Sequence, residues 1–422
     1  MQRSALLCIA CLGLLSACPD GGNETAGEET TPVTSILPDF TTGISDSSTG
    51  MPPTTSGVDP GTGSSGDGSS TTEDLSCKKI MIEAVPEIPQ VMLVLDKSGS
   101  MIGIGKTEEP GEIGDGFWDH DNDANTPEIT RWKSLYAVVE SMFAGLDSVI
   151  SFGAVLFPST SAISTYGPEA CPVDAAPLVP VGPMSGASIL AAIPAADSAD
   201  LAGGTPATAG MKAAIGELQE LDPAHPRLIV LITDGAANCR EDAADNTQRF
   251  ETYDDKLPLT VADAKTMGFP TYVIGIDILD VTSPMQTDGN PDNTNTFQRL
   301  NELAEAGGTA RAGDEKFFNA SNQIELQAAL MEITKAIVSC EIPLGEPVPT
   351  NYYIELLQVG GVDNPESLKY PGMDTQVSDC AAESGWIYKD PAVRDTVILC
   401  GDACDYYKQT GLIDIKLGCF IP

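Results

Sequence analysis

Short apolar runs alternate with amphipathic stretches through the middle of the chain, and this pattern constrains the fold more than any other feature. The runs Val91 to Leu95, Val149 to Phe157, Leu228 to Ile232 and Thr271 to Ile276 are nearly continuous in apolar residues. Strands of that kind are buried on both faces, because a strand with one wet face would alternate apolar and polar residues. Between them Trp132, Leu135, Val139, Met142, Phe143 and Leu146 recur at helical spacing, and Met211 to Leu221, Val261 to Met267 and Phe297 to Ala304 read similarly. Strands alternating with helices predict an α/β fold, a doubly wound and mostly parallel sheet of Rossmann-like type. After Gly307-Gly308, a short FFNA segment and a long helical pattern from Ile324 to Val338 close this domain before Cys340.

The flanks differ in character. Arg3 followed by the apolar stretch Ala5 to Leu15 reads as an export leader, too short to span a membrane. Its end, Leu15-Ser16-Ala17-Cys18, resembles a bacterial lipobox, which implies cleavage before Cys18 and acylation of that cysteine as the membrane anchor. Pro19, where an aspartate would signal retention, implies by the same resemblance an outer-membrane or cell-surface lipoprotein. Residues 19 to 76 are rich in Gly, Ser, Thr and Pro and lack Lys and Arg, so they bury too little apolar surface to fold. They are expected to form a disordered tether with a reach of about 40 Å as a flexible coil.

The tail from residue 340 is strand-like at Tyr352 to Val359, and Ile413, Ile415 and Leu417 alternate there with Asp414 and Lys416. The expected organisation is therefore a leader over 1–17, a tether over 18–76, the α/β domain over 77–339, and a small disulfide-rich β module over 340–422 packed on that domain. With Cys8 and Cys11 in the leader and Cys18 acylated, eight of the eleven cysteines remain: Cys77, Cys171, Cys239, Cys340, Cys380, Cys400, Cys404 and Cys419. In an exported protein an even set reads as disulfides, and C-x₃-C at Cys400 and Cys404 fits that better than zinc.

With 61 acidic and 22 basic residues, the net charge of -39 repels phosphate backbones and makes nucleic acid an improbable partner. Catalytic parts are scarce. The only histidines are His120 and His225, which leaves no convincing Ser-His-Asp set or histidine-rich zinc site, and no phosphate-binding G-x-x-x-x-G-K-[ST] loop occurs. The chain is read as a binding protein and not an enzyme.

Three separated pieces carry chemistry: Asp96-x-Ser98-x-Ser100 after the first buried strand, Gly203-Gly204-Thr205-Pro206 ahead of a helix, and Thr233-Asp234-Gly235 after the strand LIVLI. Together they resemble the von Willebrand factor type A domain and its metal-ion-dependent adhesion site. The resemblance implies that Asp96, Ser98, Ser100, Thr205 and Asp234 hold Mg²⁺, or Ca²⁺ or Mn²⁺ in its place. Hydroxyls with only two carboxylates under-neutralise such an ion and leave a position for an Asp or Glu carboxylate of a protein ligand. Loops at the carboxyl ends of parallel strands meet in one crevice, which is where these pieces would converge. The implied function is cation-dependent adhesion by a surface lipoprotein that touches the membrane through its lipid alone. The alternative is a structural subunit of an envelope complex whose metal site is permanently occupied.

Two further readings concern loops near that site. Asp119, Asp121, Asp123 and Asn125 alternate as in a calcium loop, although Ala124 and Thr130 depart from the EF-hand pattern, and a solvated acidic loop is the other reading. Cys171 and Cys239 should both lie on the metal-bearing face and pair there, and Cys77 is expected to pair with Cys340 across the ends of the domain.

Overall fold

The computed structural model describes residues 80–82, 84–103, 116–359 and 376–419. The expected leader with Cys18, the expected tether and Cys77 lie outside them. From β1 (Ile80–Ile82) the chain passes to β2 (Gln90–Asp96), a small hairpin of β3 (Phe117–Trp118) and β4 (Ile129–Thr130), and α1 (Arg131–Leu146). Next come β5 (Ser151–Phe157), β6 (Val179–Gly182), α2 (Gly186–Ala192), α3 (Ala207–Glu220) and β7 (Arg227–Thr233). Then follow α4 (Asn246–Phe250), α5 (Lys256–Thr266), β8 (Thr271–Ile276), α6 (Thr296–Gly307), β9 (Phe318–Ala320) and α7 (Gln323–Ile337). The tail carries β10 (Glu341–Pro343), β11 (Tyr352–Val359), β12 (Gly385–Tyr388), β13 (Thr396–Cys400), α8 (Asp402–Thr410) and β14 (Ile413–Cys419).

Six strands form the central sheet in the order β6-β5-β2-β7-β8-β9, parallel throughout except for the edge strand β6. Side chains alternate across a strand, so the continuous apolar runs supply two cores at once. Val91, Leu93 and Leu95 of β2 pack with α1 and α7 on one face. Met92 and Val94 pack with α3, α5 and α6 on the other. β5 lies on one side of β2 and β7 lies on the other, so the carboxyl end of β2 is the switch point where loops diverge and a crevice opens.

The helix at that crevice starts where its sequence directs. Thr130 is the N-cap of α1, its side chain accepting a hydrogen bond from the Lys133 amide, an arrangement worth about 1 kcal/mol. Trp132 in the first turn is fully buried, and that helix face continues through Leu135, Val139 and Leu146.

The tail is rich in strands, as expected, and also carries a helix. It forms two three-stranded antiparallel sheets, β1-β14-β11 and β10-β13-β12, and between β13 and β14 it adds the helix α8. Ala403 and Tyr407, four residues apart, give α8 a buried face that packs toward α1 and α7. Because β1 pairs with β14, a strand that precedes the central sheet in sequence belongs to the tail's sheet, which a boundary drawn at residue 340 does not capture.

The disulfides follow this packing. Cys171 bonds Cys239 as expected, but Cys340 bonds Cys404 and not Cys77, because α8 packs beside the end of α7. Cys380 bonds Cys400, and Cys419 is disulfide-bonded as well. Mapping of unreduced peptides should return the Cys171–Cys239, Cys340–Cys404 and Cys380–Cys400 pairs. Tyr407→Ala, which empties the seam between tail and main domain, should lower stability by about 3 kcal/mol in denaturant unfolding.

Candidate metal centre

Three loops meet at the carboxyl end of β2: those that follow β2 and β7, and the one that leads into α3. Asp96, the last residue of that strand, is fully buried. One of its oxygens accepts the Ser98 amide at 2.8 Å, and the other accepts the Thr233 hydroxyl at 2.6 Å. Ser98 and Ser100 place their hydroxyl oxygens 3.0 Å apart, and the Ser100 hydroxyl donates to Asp234 Oδ1 at 2.8 Å. The first and third loops are thus joined through oxygen atoms.

The second loop is held to both of the others through its backbone. The Gly99 amide donates to the Gly203 carbonyl at 3.2 Å, and the buried Lys97 ammonium donates to the Ala202 carbonyl at 3.2 Å. On the far side the Thr205 amide donates to Asn238 Oδ1 at 2.7 Å, while the Asn238 amide returns a bond of 3.1 Å to the Thr205 carbonyl. These bonds leave the Thr205 hydroxyl out of the scaffold. Thr205 itself is only 7% exposed.

Close approach explains the glycine pair. Gly203 has φ +106°, and a Cβ there would lie 2.5 Å from the Ala170 carbonyl; a Cβ on Gly204 would lie 2.7 Å from Cys239 Sγ. The Cys171–Cys239 disulfide therefore walls this loop directly. Closing a chain separation of 68 residues limits the unfolded state by about 4 kcal/mol in the chain-entropy description. Gly235 differs, for nothing lies within 4 Å of a Cβ built there.

The electrostatics of the site suit a cation. Burial, then the neighbouring Asp234 carboxylate, pushes the Asp96 carboxyl up to about 7. Burial raises Asp234 as well, opposed by Arg131. Burial pulls the Lys97 ammonium below its ordinary range, and Asp96 opposes that shift. Two buried carboxylates with hydroxyls beside them match the oxygen-rich donor set that Mg²⁺ takes, so the residues fit such an ion. Among the described residues no three His, Cys, Asp or Glu side chains converge as they would around a metal, which leaves the hydroxyls to complete any shell here.

The alternating acidic loop has its carboxylates turned to its own backbone. Asp119, Asp121 and Asp123 each accept the amide two residues ahead, at 3.4, 3.1 and 3.0 Å. The Asn125 side chain donates to Asp123, and Thr126 donates to Asp121.

Asn238, Arg131 and Asp277 of the crevice were not singled out from the sequence, and Thr233, read as part of the third piece, was given no role of its own. Arg131 Nη1 lies 3.5 Å from Asp234 Oδ2, and its Nη2 lies 2.8 Å from Asp277 Oδ2. The signal for Asp277 was present, since it follows β8 as Asp234 follows β7, and neighbouring parallel strands bring their ends side by side.

No protein-family model matches the sequence, and no curated protein matches it either. Among solved structures the chain is similar to the pilus adhesin SpaC from Lactobacillus rhamnosus GG, with TM-score 0.42 and 15% identity over 80% of this chain and 40% of that one. It is also similar to the vWF domain of the type V pili tip protein Mfa5 from Porphyromonas gingivalis, with TM-score 0.36 and 15% identity over 60% of this chain and 96% of that one. The PilB minor pilin from Streptococcus sanguinis gives TM-score 0.36 and 20% identity over 60% and 62%. The chain spans only 40% of the SpaC chain's length.

A raised carboxyl binds its proton more tightly in the folded chain than in the unfolded one. Stability in chelator should therefore rise as pH falls through about 7 toward the ordinary value of 3.8. Asp96→Asn does not titrate, so its melting temperature should change less than that of the unsubstituted protein between pH 8 and pH 5.5.

Proposed function

We propose that this crevice binds a divalent cation and, through it, a carboxylate of a protein ligand, so that the chain acts as a cation-dependent adhesive protein. One observation carries the reading: two buried carboxylates, Asp96 and Asp234, stand in one crevice, Asp96 held by the Ser98 amide and Asp234 by the Ser100 hydroxyl, which lies 3.0 Å from the Ser98 hydroxyl, with Thr205 on the adjoining loop. A buried carboxylate pair is costly without positive charge, and a cation there would relieve that cost.

In this reading Asp96 and Asp234 supply the charge, and the Ser98, Ser100 and Thr205 hydroxyls supply neutral oxygens. Mg²⁺ is the expected ion, with Ca²⁺ or Mn²⁺ as substitutes. When bound, the ion would provide an electrophilic point with a position for an oxygen anion of the ligand. Thr233 and Asn238 act as positioning residues, the first orienting Asp96 and the second holding the Thr205 backbone.

Beside the first turn of α1, Ile102, Phe117, Ile129, Lys133 and Asp197 line an open groove of about 350 Å³. In the proposal it receives the side chains that flank the ligand carboxylate. Adhesion also agrees with the exported, lipid-anchored organisation expected from the leader and tether.

The test is a pull-down from cell-surface extract with the full chain, in Mg²⁺ and in chelator. Capture should be lost in chelator and should fall at least about tenfold in Asp96→Ala, Thr205→Ala and Asp234→Ala proteins that remain folded by circular dichroism, as removal of a metal ligand requires. Undiminished capture by those variants overturns the adhesion reading.

A further inference from the structure

We propose that Arg131 is the resident counter-cation of the crevice and sets how tightly it takes a divalent ion. The inference rests on the cation reading of the same site. Asp234 has no exposed side-chain surface, and both of its oxygens have neighbours: Oδ1 takes the Ser100 hydroxyl, and Oδ2 faces the Arg131 guanidinium at 3.5 Å. The same guanidinium makes a shorter contact, 2.8 Å, with Asp277. Arg131 is thus shared unequally between a deeply buried carboxylate and one whose side chain is 35% exposed.

Backbone anchors hold both ends of this bridge. The Arg131 amide donates to the Gly116 carbonyl at 2.9 Å, which fixes the helix start. Asp277 sits in the left-handed region at φ 56°, with its amide on the Ala320 carbonyl at 2.8 Å. Asp277 is therefore a fixed second partner on which the guanidinium can rest.

The arrangement has two consequences of opposite sign. A guanidinium near a divalent ion repels it, and in a buried site that repulsion is screened weakly. Its attraction for Asp234 also competes directly with the ion for the same carboxylate. Asp277 weakens this competition by drawing the guanidinium toward the outer carboxylate. Arg131 therefore opposes metal uptake while Asp277 assists it, although Asp277 lies outside the proposed ligand set.

The test is calorimetric titration of Mn²⁺ and Mg²⁺ into the full chain after chelation and dialysis. Arg131→Gln should bind at least about tenfold more tightly than the unsubstituted protein, and Asp277→Asn about threefold more weakly, as removal of a nearby repulsive or assisting charge requires. Arg131→Lys should stay close to the unsubstituted protein. Mg²⁺ should also raise the melting temperature of Arg131→Gln by more than it raises that of the unsubstituted protein. Equal or weaker binding by Arg131→Gln, or unchanged or tighter binding by Asp277→Asn, overturns the proposal and leaves the metal site standing. If Arg131→Gln does not fold even with Mg²⁺, the Asp277→Asn result decides by the same criterion. No binding by the unsubstituted protein overturns the cation reading, and this proposal with it.

Discussion

Asp96 ends one of the two central strands of the sheet with a carboxylate removed from water, and the crevice is organised around keeping it there. A buried carboxylate is tolerated only when its oxygens are satisfied, and Asp96 meets that demand with the Ser98 amide and the Thr233 hydroxyl. One donor follows β2 and the other is the last residue of β7, so satisfying Asp96 also positions the starts of the first and third loops. Asp234 then enters beside Asp96, and its charge adds to burial in raising the Asp96 carboxyl.

That demand explains features that would otherwise look unrelated. The glycine pair at 203 and 204 lets the second loop pass against the Ala170 carbonyl and the Cys239 sulfur, close enough to bond with Gly99 and Asn238. The Cys171–Cys239 disulfide holds the wall against which that loop rests. Arg131, the first residue of α1, brings a cation to Asp234 without leaving its own helix start. The second loop is held through its backbone and walled by a covalent link, bonds that do not use the Thr205 hydroxyl.

The tail reinforces the opposite side of the fold. Its apolar residues, among them Leu417, Ile415 and Tyr407, join the same cluster as Val91 and Trp132, so one core runs from the sheet into the tail. The Cys340–Cys404 bond ties the end of α7 to α8 at that seam. A β-module attached only by sequence continuity would move independently, whereas β1 and α8 integrate it with the sheet-bearing part.

Periodicity specified the four inner strands of the sheet and the long helices between them, because a strand buried on both faces is continuous in apolar residues, as Val91 to Leu95 and Leu228 to Ile232 are; the edge strand β6 and the short helices α2 and α4 were not read from it. The D-x-S-x-S, Gly-Gly-Thr and Thr-Asp-Gly pieces were legible for a related reason: each sits at a strand end or ahead of a helix, so its place follows once the strands are known. Residues whose importance depends on partners distant in sequence were not legible. Arg131 and Asp277, 146 positions apart, meet only because α1 begins over the end of β8. Cys340 finds Cys404 through the amphipathic α8, whose two buried residues, Ala403 and Tyr407, give little signal amid acidic neighbours. Sequence by itself determined the layers and the switch-point crevice, since these follow from local periodicity and strand order. Tertiary structure decided the charge partners and the disulfide pairing, because both depend on distances that only packing sets.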